Sequence, residues 1–337
     1  MLIREQLEKK EKETLSKFAC LSYNTKGREI NEEECSVRTV FQRDRDRIIH
    51  SQSFRLLKYK TNVFLSSSGE KFRTRLTHTL EVSAIARTIC RALQLNEDLA
   101  EAIALGHDLG HTPFGHTGED VLNKLSPEGF HHSKQSLRVV DYLEKDGKGL
   151  NLTFEVRDGI LKHTKGKKSM IEFNGESEFG VPLTLEGKVI QFSDWIAYIN
   201  HDIDDAISAG LITLRNLPHH PIKILGVRHS ERINSMVCDI VQQSKNSNDI
   251  KMSRDVLLAT EELRSFLYEK VYVMPEISNK QKSAERILSK IYRYYSKNYK
   301  LLSKEFPWRK DIDETAVVDF VAGLTDTRAQ EIYKKIS

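Results

Sequence analysis

The sequence lacks the features of secreted, disulfide-bonded and membrane-spanning proteins. Its four cysteines, Cys20, Cys35, Cys90 and Cys238, are scattered and form no CxxC pair. That distribution is typical of reduced thiols and disfavours a zinc finger or a disulfide scaffold. The segment MLIREQLEKKEKETL carries charges where a signal peptide has its apolar core, and no apolar run approaches the roughly 18 residues of a membrane span. We therefore expect a cytoplasmic protein.

Glycine, proline and net charge are also low. With 17 glycines, 7 prolines, 39% apolar and 30% charged residues, the composition is that of an ordinary soluble protein, not a disordered or fibrous one. The 337 residues suffice for one large single-core domain or two small ones. The net charge of +4 would suit a polyphosphate substrate, but solvated helix faces are the favoured interpretation of these charges.

Apolar residues at helical spacing dominate the sequence and predict an all-α fold. One helix is traced from Leu76 through Ile89 to Leu93, and a second from Leu99 to Leu105. The stretch 168–187 alternates in polarity and is compatible with one short β-hairpin. Further helices are predicted at about 135–144, 154–163, 186–209, 254–272, 282–303 and 314–335.

Turn signals separate these helices without forming long linkers. We predict an N-terminal helical extension over residues 1–37, a catalytic helical domain over 38–225, and a C-terminal helical region over 226–337 that packs on it. The turn signals lie at 66–72, 111–115, 126–130, 165–182, 217–221 and 244–249.

The strongest local signal is the segment ALGHDLGHTPFGHTGED at residues 104–120. On a helix, His107 and His111 would lie one above the other at i and i+4, with Asp108 on the same edge. A divalent cation can neutralise such crowding of polar groups. Imidazole with carboxylate suits Zn, Mn, Fe, Co or Ni, and Mg where water and substrate phosphate complete the shell.

His107 and Asp108 cannot complete a coordination shell alone, so further ligands must come from other helices. His78 in FRTRLTHTLEV and Asp194 in VIQFSDWIAYINHDIDDA lie on helices that are otherwise apolar. A buried charge without a partner costs several kcal/mol. These four residues are therefore the candidate metal ligands, although a lone histidine more often has a satisfied core or capping role.

The order His78, His107-Asp108, Asp194 resembles the HD superfamily of metal-dependent phosphohydrolases. More narrowly, seven blocks over most of the chain resemble the bacterial deoxyguanosinetriphosphate triphosphohydrolase-like family. The resemblance implies an all-α HD-domain bundle with additional C-terminal helices. It also implies a divalent metal (Mg, Mn or another transition metal) and a homo-oligomer. The blocks are RDRDRIIHSQSFRLLKYKTNVF, RTRLTHTLEV, HDLGHTPFGHTGED, HHSKQSLR, ILKHTKG, DWIAYINHDIDDA and VVDFVAGLTD.

The reaction implied by the resemblance converts a dNTP, with dGTP favoured, and water into deoxynucleoside and tripolyphosphate. His116 is then the general acid that protonates the 5' oxygen, and Glu119 fixes its tautomer from one turn further along the helix. His111 and His132 bind phosphate or assist proton transfer. The alternative for Glu119 is a first-turn acid that interacts favourably with the helix dipole.

Substrate contacts are also implied by the resemblance. Arg75, three residues before His78, grips phosphate through its guanidinium. Tyr198 contacts phosphate or sugar, or else packs in the core, and Asp202 hydrogen-bonds the deoxyribose 3' hydroxyl. The remaining histidines are interpreted as structural, namely His50, His163, His219, His220 and His229.

The chain departs from the family pattern in three places. Lys58 stands where many relatives carry glutamine, Leu56 where they carry arginine, and His131 at a position that is often acidic. The glutamine lies near the sugar in the family, so these departures bear on sugar and base preference. The four candidate metal ligands are all present.

Two other functional classes stay open. One is another HD nucleotidase or phosphodiesterase, acting on monophosphates or cyclic nucleotides. The other is a catalytically silent protein that senses nucleotides or binds nucleic acid. The basic, aromatic run at 285–300 would suit a nucleotide or single-stranded DNA effector, although packing against a neighbouring subunit is the favoured interpretation of this helix face.

Overall fold

The structure of the chain is a computed structural model that describes residues 1–64, 72–164, 169–172 and 175–337. Within these ranges the chain consists of helices joined by short turns, which confirms the all-α class. Strand pairing in the described ranges is limited to isolated bridges of one residue pair each. No helix there is long and apolar enough to cross a membrane.

The α-helices are numbered in chain order. They are α1 (Ile3–Thr14), α2 (Val40–Ile49), α3 (Gln52–Leu56), α4 (Arg75–Ala92), α5 (Glu97–Gly106), α6 (His116–Leu125), α7 (His132–Arg138), α8 (Glu144–Gly147), α9 (Phe154–Lys162), α10 (Leu185–Ser208), α11 (His219–Leu225), α12 (His229–Ser244), α13 (Arg254–Phe266), α14 (Pro275–Lys297), α15 (Glu314–Gly323) and α16 (Asp326–Lys335). Short 3₁₀ turns lie at Ser22–Asn24, Leu57–Tyr59, Leu214–Asn216 and Tyr299–Lys304, and π turns at Val139–Leu143 and Leu267–Val271.

Several predicted helices agree closely with the structure, and others do not. Both α9 and α10 end within one residue of their predicted bounds. The single helix predicted over 314–335 is wrong, because α15 ends at Gly323 and Thr325 caps a new helix by accepting the Arg328 amide at 3.2 Å. Four helices, α2, α3, α11 and α12, lie at positions for which the sequence predicted no individual helix.

The predicted hairpin and two predicted turns fall partly outside the described residues. Residues 66–71 of the turn at 66–72 are not described. Nor are residues 165–168, 173 and 174 of the turn at 165–182, which overlaps the hairpin stretch. In the described part, Ser177 and Gly180 exchange two backbone hydrogen bonds of 3.1 Å. This is a tight turn closed by a single antiparallel pair.

The chain divides into two compact units, each assembled from separate stretches of sequence. The first unit comprises Met1–Ile49, His78–His107 and Asn151–Val271. The second comprises His50–Thr77, Asp108–Leu150 and Tyr272–Ser337. The three consecutive domains proposed from sequence stay a prediction.

Helix α5 forms the centre of the first unit, where α2, α9 and α10 pack on it. Every residue from Leu99 to Gly106 is buried except Glu101. A Cβ atom at Gly106 would lie 2.5 Å from Ile160 Cδ1 of α9 and 3.2 Å from Ile48 Cδ1 of α2. Glycine at the end of α5 therefore permits the close approach of these helices just before His107.

The second unit has its own apolar core, in which α14 packs against α6, α15 and α16. Phe114 belongs to this core although it lies in the loop that precedes α6. The core thereby anchors the loop 111–115 as well as the helix that follows it. Other members include Val121, Leu122, Leu288, Ile291, Val317 and Phe320.

Candidate metal and catalytic site

The first unit brings together two of the candidate metal ligands from neighbouring helices. His78 lies on α4 and His107 directly follows α5, and both side chains are buried. Their ring centroids are 5.4 Å apart. The helix ends at Gly106, so the predicted helical stacking of His107 and His111 is wrong; His111 lies in a turn, where its amide donates to the Asp108 carbonyl at 3.0 Å.

Backbone contacts favour one tautomer for His107. Its Nδ1 is 2.6 Å from the carbonyl of Ala104, and a carbonyl can only accept, so Nδ1 carries the proton. The lone pair then belongs to Nε2. Imidazole metal ligands are commonly oriented in this way, by a backbone carbonyl on the other nitrogen.

His163 shows the same arrangement, although the sequence analysis assigned it a structural role. Its Nδ1 lies 2.7 Å from the Ile160 carbonyl, and its ring centroid is 4.9 Å from that of His107. The side chain is buried. The signal that would have identified it is its place in the family block ILKHTKG, since its packing against His107 depends on how α5 and α9 meet.

A row of polar side chains connects α4 to α10. His78 Nε2 is 3.2 Å from Asp194 Oδ1, and His78 Nδ1 is 3.0 Å from His201 Nε2. On its other side, His201 Nδ1 lies 2.9 Å from Asp202 Oδ1. The sequence did not identify His201, whose Nε2 contacts His78.

Asp202 and Tyr198 follow Asp194 along α10 at the predicted spacing. Asp202 is buried, and its carboxylate lies beside the His201 ring. Burial raises the pKa of Tyr198 well above its ordinary value, while the nearby guanidinium of Arg264 acts in the opposite direction. Tyr198 is therefore a neutral phenol throughout the physiological pH range.

In the second unit, Arg75 holds Asp108. Its Nη1 donates to Asp108 Oδ2 at 2.8 Å, and both side chains are buried. Arg75 starts α4, so the same helix carries this guanidinium and, one turn later, His78. The ion pair fixes the orientation of the carboxylate that directly follows His107 in the chain.

Glu119 of α6 contacts two histidines. One of its oxygens is 3.1 Å from His116 Nδ1, and the other is 2.8 Å from both the Nδ1 and the backbone nitrogen of His132. Burial opposes the charged carboxylate, yet His132 and His116 together hold the pKa of Glu119 well below its ordinary value. Burial likewise opposes protonation of His132, but the Glu119 carboxylate raises the pKa of that imidazole. The group is thus a carboxylate that stabilises protonated histidine.

The pKa of His111 is shifted in the opposite direction from that of His132. Burial, reinforced by the charge of Arg75, lowers the pKa of His111 well below its ordinary value. Its ring is stacked on that of His132 with centroids 4.8 Å apart. Neither ring nitrogen has a hydrogen-bond partner among the described residues. A buried neutral imidazole with two unused polar atoms is suited to meet a ligand or water.

The exposure of the histidines differs in a way that matters for chemistry. The side chain of His116 is 63% exposed and that of His132 only 9%. His116 can therefore reach a molecule in solvent, whereas His132 lies behind it against Glu119. Other histidines lie apart from these groups, with His50, His219 and His220 exposed and His229 half-buried.

The three departures from the family pattern have clear positions. Lys58 and Leu56 lie in and beside the turn Leu57–Tyr59, where the Lys58 ammonium is exposed. His131 caps α7, since its Nδ1 accepts the Ser133 amide at 3.3 Å. His131 is thus held by a local capping interaction.

The donor set of the first unit fits a divalent cation. His78, His107 and Asp194 supply imidazole and carboxylate, the combination that transition metals prefer. In the second unit, the ligand atoms of His111, His116 and Glu119 lie within 4.8 Å of one another, close enough to hold an ion.

Comparison with known proteins agrees with these features. The profile of the HD domain matches residues 75–199, and that of a phosphohydrolase-associated domain matches residues 250–335. A crystal structure of a hypothetical protein from Aquifex aeolicus is 21% identical with a TM-score of 0.45, covering 86% of this chain and 67% of that chain. That resemblance is too distant to bear on function.

Full-length relatives give a sharper result, and all three described here are named deoxyguanosinetriphosphate triphosphohydrolase-like proteins. The protein of Caldanaerobacter subterraneus is 52% identical, covering 100% of this chain and 96% of the relative. Those of Desulfatibacillum aliphaticivorans and Clostridium perfringens are 49% and 46% identical, each covering 100% of this chain and 98% of the relative. The chain therefore belongs to the deoxyguanosinetriphosphate triphosphohydrolase-like family of HD-domain phosphohydrolases.

Proposed function

We propose that the protein is a metal-dependent triphosphohydrolase that converts a deoxynucleoside triphosphate, with dGTP as the favoured substrate, into deoxynucleoside and tripolyphosphate. The observation that carries the proposal is the histidine cluster of the first unit. This cluster consists of His78, His107 and His163, which are buried and close together. Backbone carbonyls orient His107 and His163, and His78 lies beside the Asp194 carboxylate. The names of the full-length relatives support the same substrate class.

The proposed metal ligands are His78, His107, Asp108 and Asp194. Asp108 is included because it follows His107 in the HD dipeptide, and its carboxylate is held by Arg75. A divalent cation bound there lowers the pKa of water, polarises a phosphate oxygen and orients the nucleophile. Mg, Mn and other transition metals all suit this set of ligands.

Glu119, His116 and His132 would supply the proton that the leaving group needs. A 5' alkoxide is a poor leaving group, so a donor must protonate it as the bond to phosphorus breaks. His116 is exposed and touches Glu119, which makes it the proposed general acid. His132 shares the same carboxylate and would keep a proton close by, while neutral His111 would hydrogen-bond phosphate through a free ring nitrogen.

Three residues are proposed to contact the substrate. Arg75 would bind phosphate through its guanidinium, which also pairs with Asp108. Tyr198 would donate its phenol proton to phosphate or sugar. Asp202 is proposed to accept from the 3' hydroxyl; its position beside His201 makes support of the histidine row its second role. Cytoplasmic location, homo-oligomerisation and a nucleotide or single-stranded DNA effector also stay predictions.

A substrate panel tests the proposal. The purified protein is incubated with each dNTP, with ribonucleotides, and with mono- and cyclic nucleotides, in Mn, in Mg and in excess chelator. We expect a dNTP to yield deoxynucleoside and tripolyphosphate, and the chelator to abolish this reaction. Orthophosphate or a linear mononucleotide would instead identify another HD nucleotidase or phosphodiesterase. If no nucleotide is turned over with any metal or effector, the protein would instead be a catalytically silent protein that binds nucleotides or nucleic acid.

A further inference from the structure

Lys60 is a buried lysine that contacts two separate parts of the second unit. Its ammonium donates to the carbonyl of His111 at 2.6 Å and to the carbonyl of Ala322 at 2.8 Å. The side chain is 2% exposed, and burial lowers the pKa of Lys60 to about 8, against the raising effect of the Asp326 charge. One side chain thus ties the backbone of a proposed catalytic histidine to the end of α15.

Asp326 makes a parallel connection from the start of α16. Its Oδ1 accepts the Phe114 amide at 2.9 Å. Its Oδ2 accepts from both the amide and the hydroxyl of Thr61, at 3.1 and 2.6 Å. Lys60 and Asp326 therefore connect the segment 322–326 to both ends of the loop 111–115. Both charged side chains are buried.

The loop between these contacts has a conformation that needs such support. Phe114 has a φ of +60°, which disfavours a residue with a side chain, and Gly115 follows with a φ of +60°. A Cβ at Gly115 would lie 2.4 Å from the Asn62 carbonyl oxygen. This turn places His111 on one side and His116 on the other, so relaxing it would move both imidazoles.

We propose that Lys60 and Asp326 are positioning residues that hold the loop 111–115, and with it His111 and His116, in the arrangement needed for proton transfer. The inference rests on the proposed function and deepens it. It assigns the C-terminal segment 322–326 a part in catalysis, although neither residue touches the reacting atoms. Hydrogen bonds to charged groups are the stronger ones, and both contacts are of that kind.

Two kinds of measurement test the proposal, on full-length Lys60→Met, Asp326→Ala and Asp326→Asn. The first is kcat and KM for the best dNTP. The second is hydrogen exchange of the peptide that covers residues 109–116, which needs no activity. The matched control is Tyr292→Phe, which removes a 2.6 Å bond to Glu314 in the same unit and leaves the loop contacts intact.

We expect Lys60→Met and Asp326→Ala to lower kcat by about 100-fold with KM within about 3-fold, because misplacement by about 1 Å can have that effect. Asp326→Asn keeps an oxygen for the Phe114 amide and should recover about 10-fold of that loss. The amides of the loop 111–115 should exchange about 10-fold faster in Lys60→Met and Asp326→Ala than in the wild type. Their exchange rate should be unchanged in Tyr292→Phe.

Wild-type kcat in both Lys60→Met and Asp326→Ala, or a loss of kcat with unchanged loop exchange, would overturn the proposal. If Lys60→Met does not fold, the two Asp326 variants decide by the same criteria. A wild-type protein that hydrolyses no nucleotide would refute the proposed function. In that case the exchange measurement still decides whether the two residues hold the loop, since unchanged exchange would show that they do not.

Discussion

Replacing Glu119 by glutamine removes the charge that two histidines share while keeping the size of the side chain. In the native protein the carboxylate makes three contacts, at 2.8, 2.8 and 3.1 Å. Glutamine can still accept from His132 through its one oxygen, but it then turns an NH2 group toward His116. Hydrogen bonds to charged groups contribute about 1.5–3 kcal/mol and neutral ones about 1 kcal/mol, so we expect a loss of about 1–2 kcal/mol in unfolding free energy near pH 6.

Activity should suffer more than stability in this variant. General acid catalysis contributes about 10²–10⁴-fold, and we expect kcat of Glu119→Gln to fall by about 10²–10³-fold with little change in KM. The matched control is Asp120→Asn, an exposed carboxylate on the same helix, which should leave both parameters unchanged. Steady-state kinetics with dGTP and Mn measures these values.

The pH dependence of stability gives an independent check. Because Glu119 raises the pKa of His132 in the folded protein, this imidazole stabilises the fold below its ordinary pKa, and the contribution is lost as pH rises through the folded value. In Glu119→Gln the main raising influence is lost, and burial, which lowers the pKa of His132 together with the charge of Arg75, outweighs the smaller raising effect of Asp108. Stability should then fall as the solution becomes acidic. Urea unfolding between pH 5.5 and 8.5 compares the two proteins. Equal kcat, or parallel stability curves, would refute the role assigned to Glu119.

Three further substitutions test other parts of the account. Asp108→Ala should remove bound metal and lower turnover by about 10³-fold or more while circular dichroism stays helical; retained metal and activity would exclude it as a ligand. His163→Gln should weaken metal binding by about 10- to 100-fold in a competition titration, because losing a metal ligand or the residue that orients it has an effect of that size. Unchanged metal affinity would show that His163 has only the structural role predicted from the sequence. Burial raises the pKa of Glu186 to about 7. The protonated carboxyl therefore stabilises the fold at acidic pH, and the free energy of unfolding should fall by about 3 kcal/mol as pH rises from about 4.5 through 7. Glu186→Gln should therefore flatten the stability curve over that range, and an unchanged slope would contradict the assignment.

The residues with recognisable spacing were the ones that sequence could predict. The turn from His116 to Glu119 and the stripe from Asp194 to Asp202 are local patterns, and they lie on α6 and α10 as expected. The pair His107-Asp108 is also a local pattern, but it follows the end of α5. Helix type and most bounds followed from apolar periodicity for the same reason.

Contacts that depend on how helices meet were not predictable. His163 reaches His107 only because α5 and α9 pack closely at Gly106. His201 points along α10 toward His78, which no spacing within α10 alone indicates. The hold of Asp326 on Phe114 joins residues that are 212 positions apart. The helical stacking of His107 on His111 was also predicted wrongly, because α5 ends at Gly106 and His111 lies in the turn that follows.

Anomalous X-ray diffraction from crystals soaked in Mn would test the central claim most directly. The account predicts one strong peak bound by Nε2 of His78 and of His107, with carboxylate oxygens of Asp108 and Asp194 completing the protein ligands. His107 Nδ1 should keep its bond to the Ala104 carbonyl. A manganese peak at another position would contradict this prediction. So would the absence of any peak in a structure where His78 and Asp194 are still in direct contact.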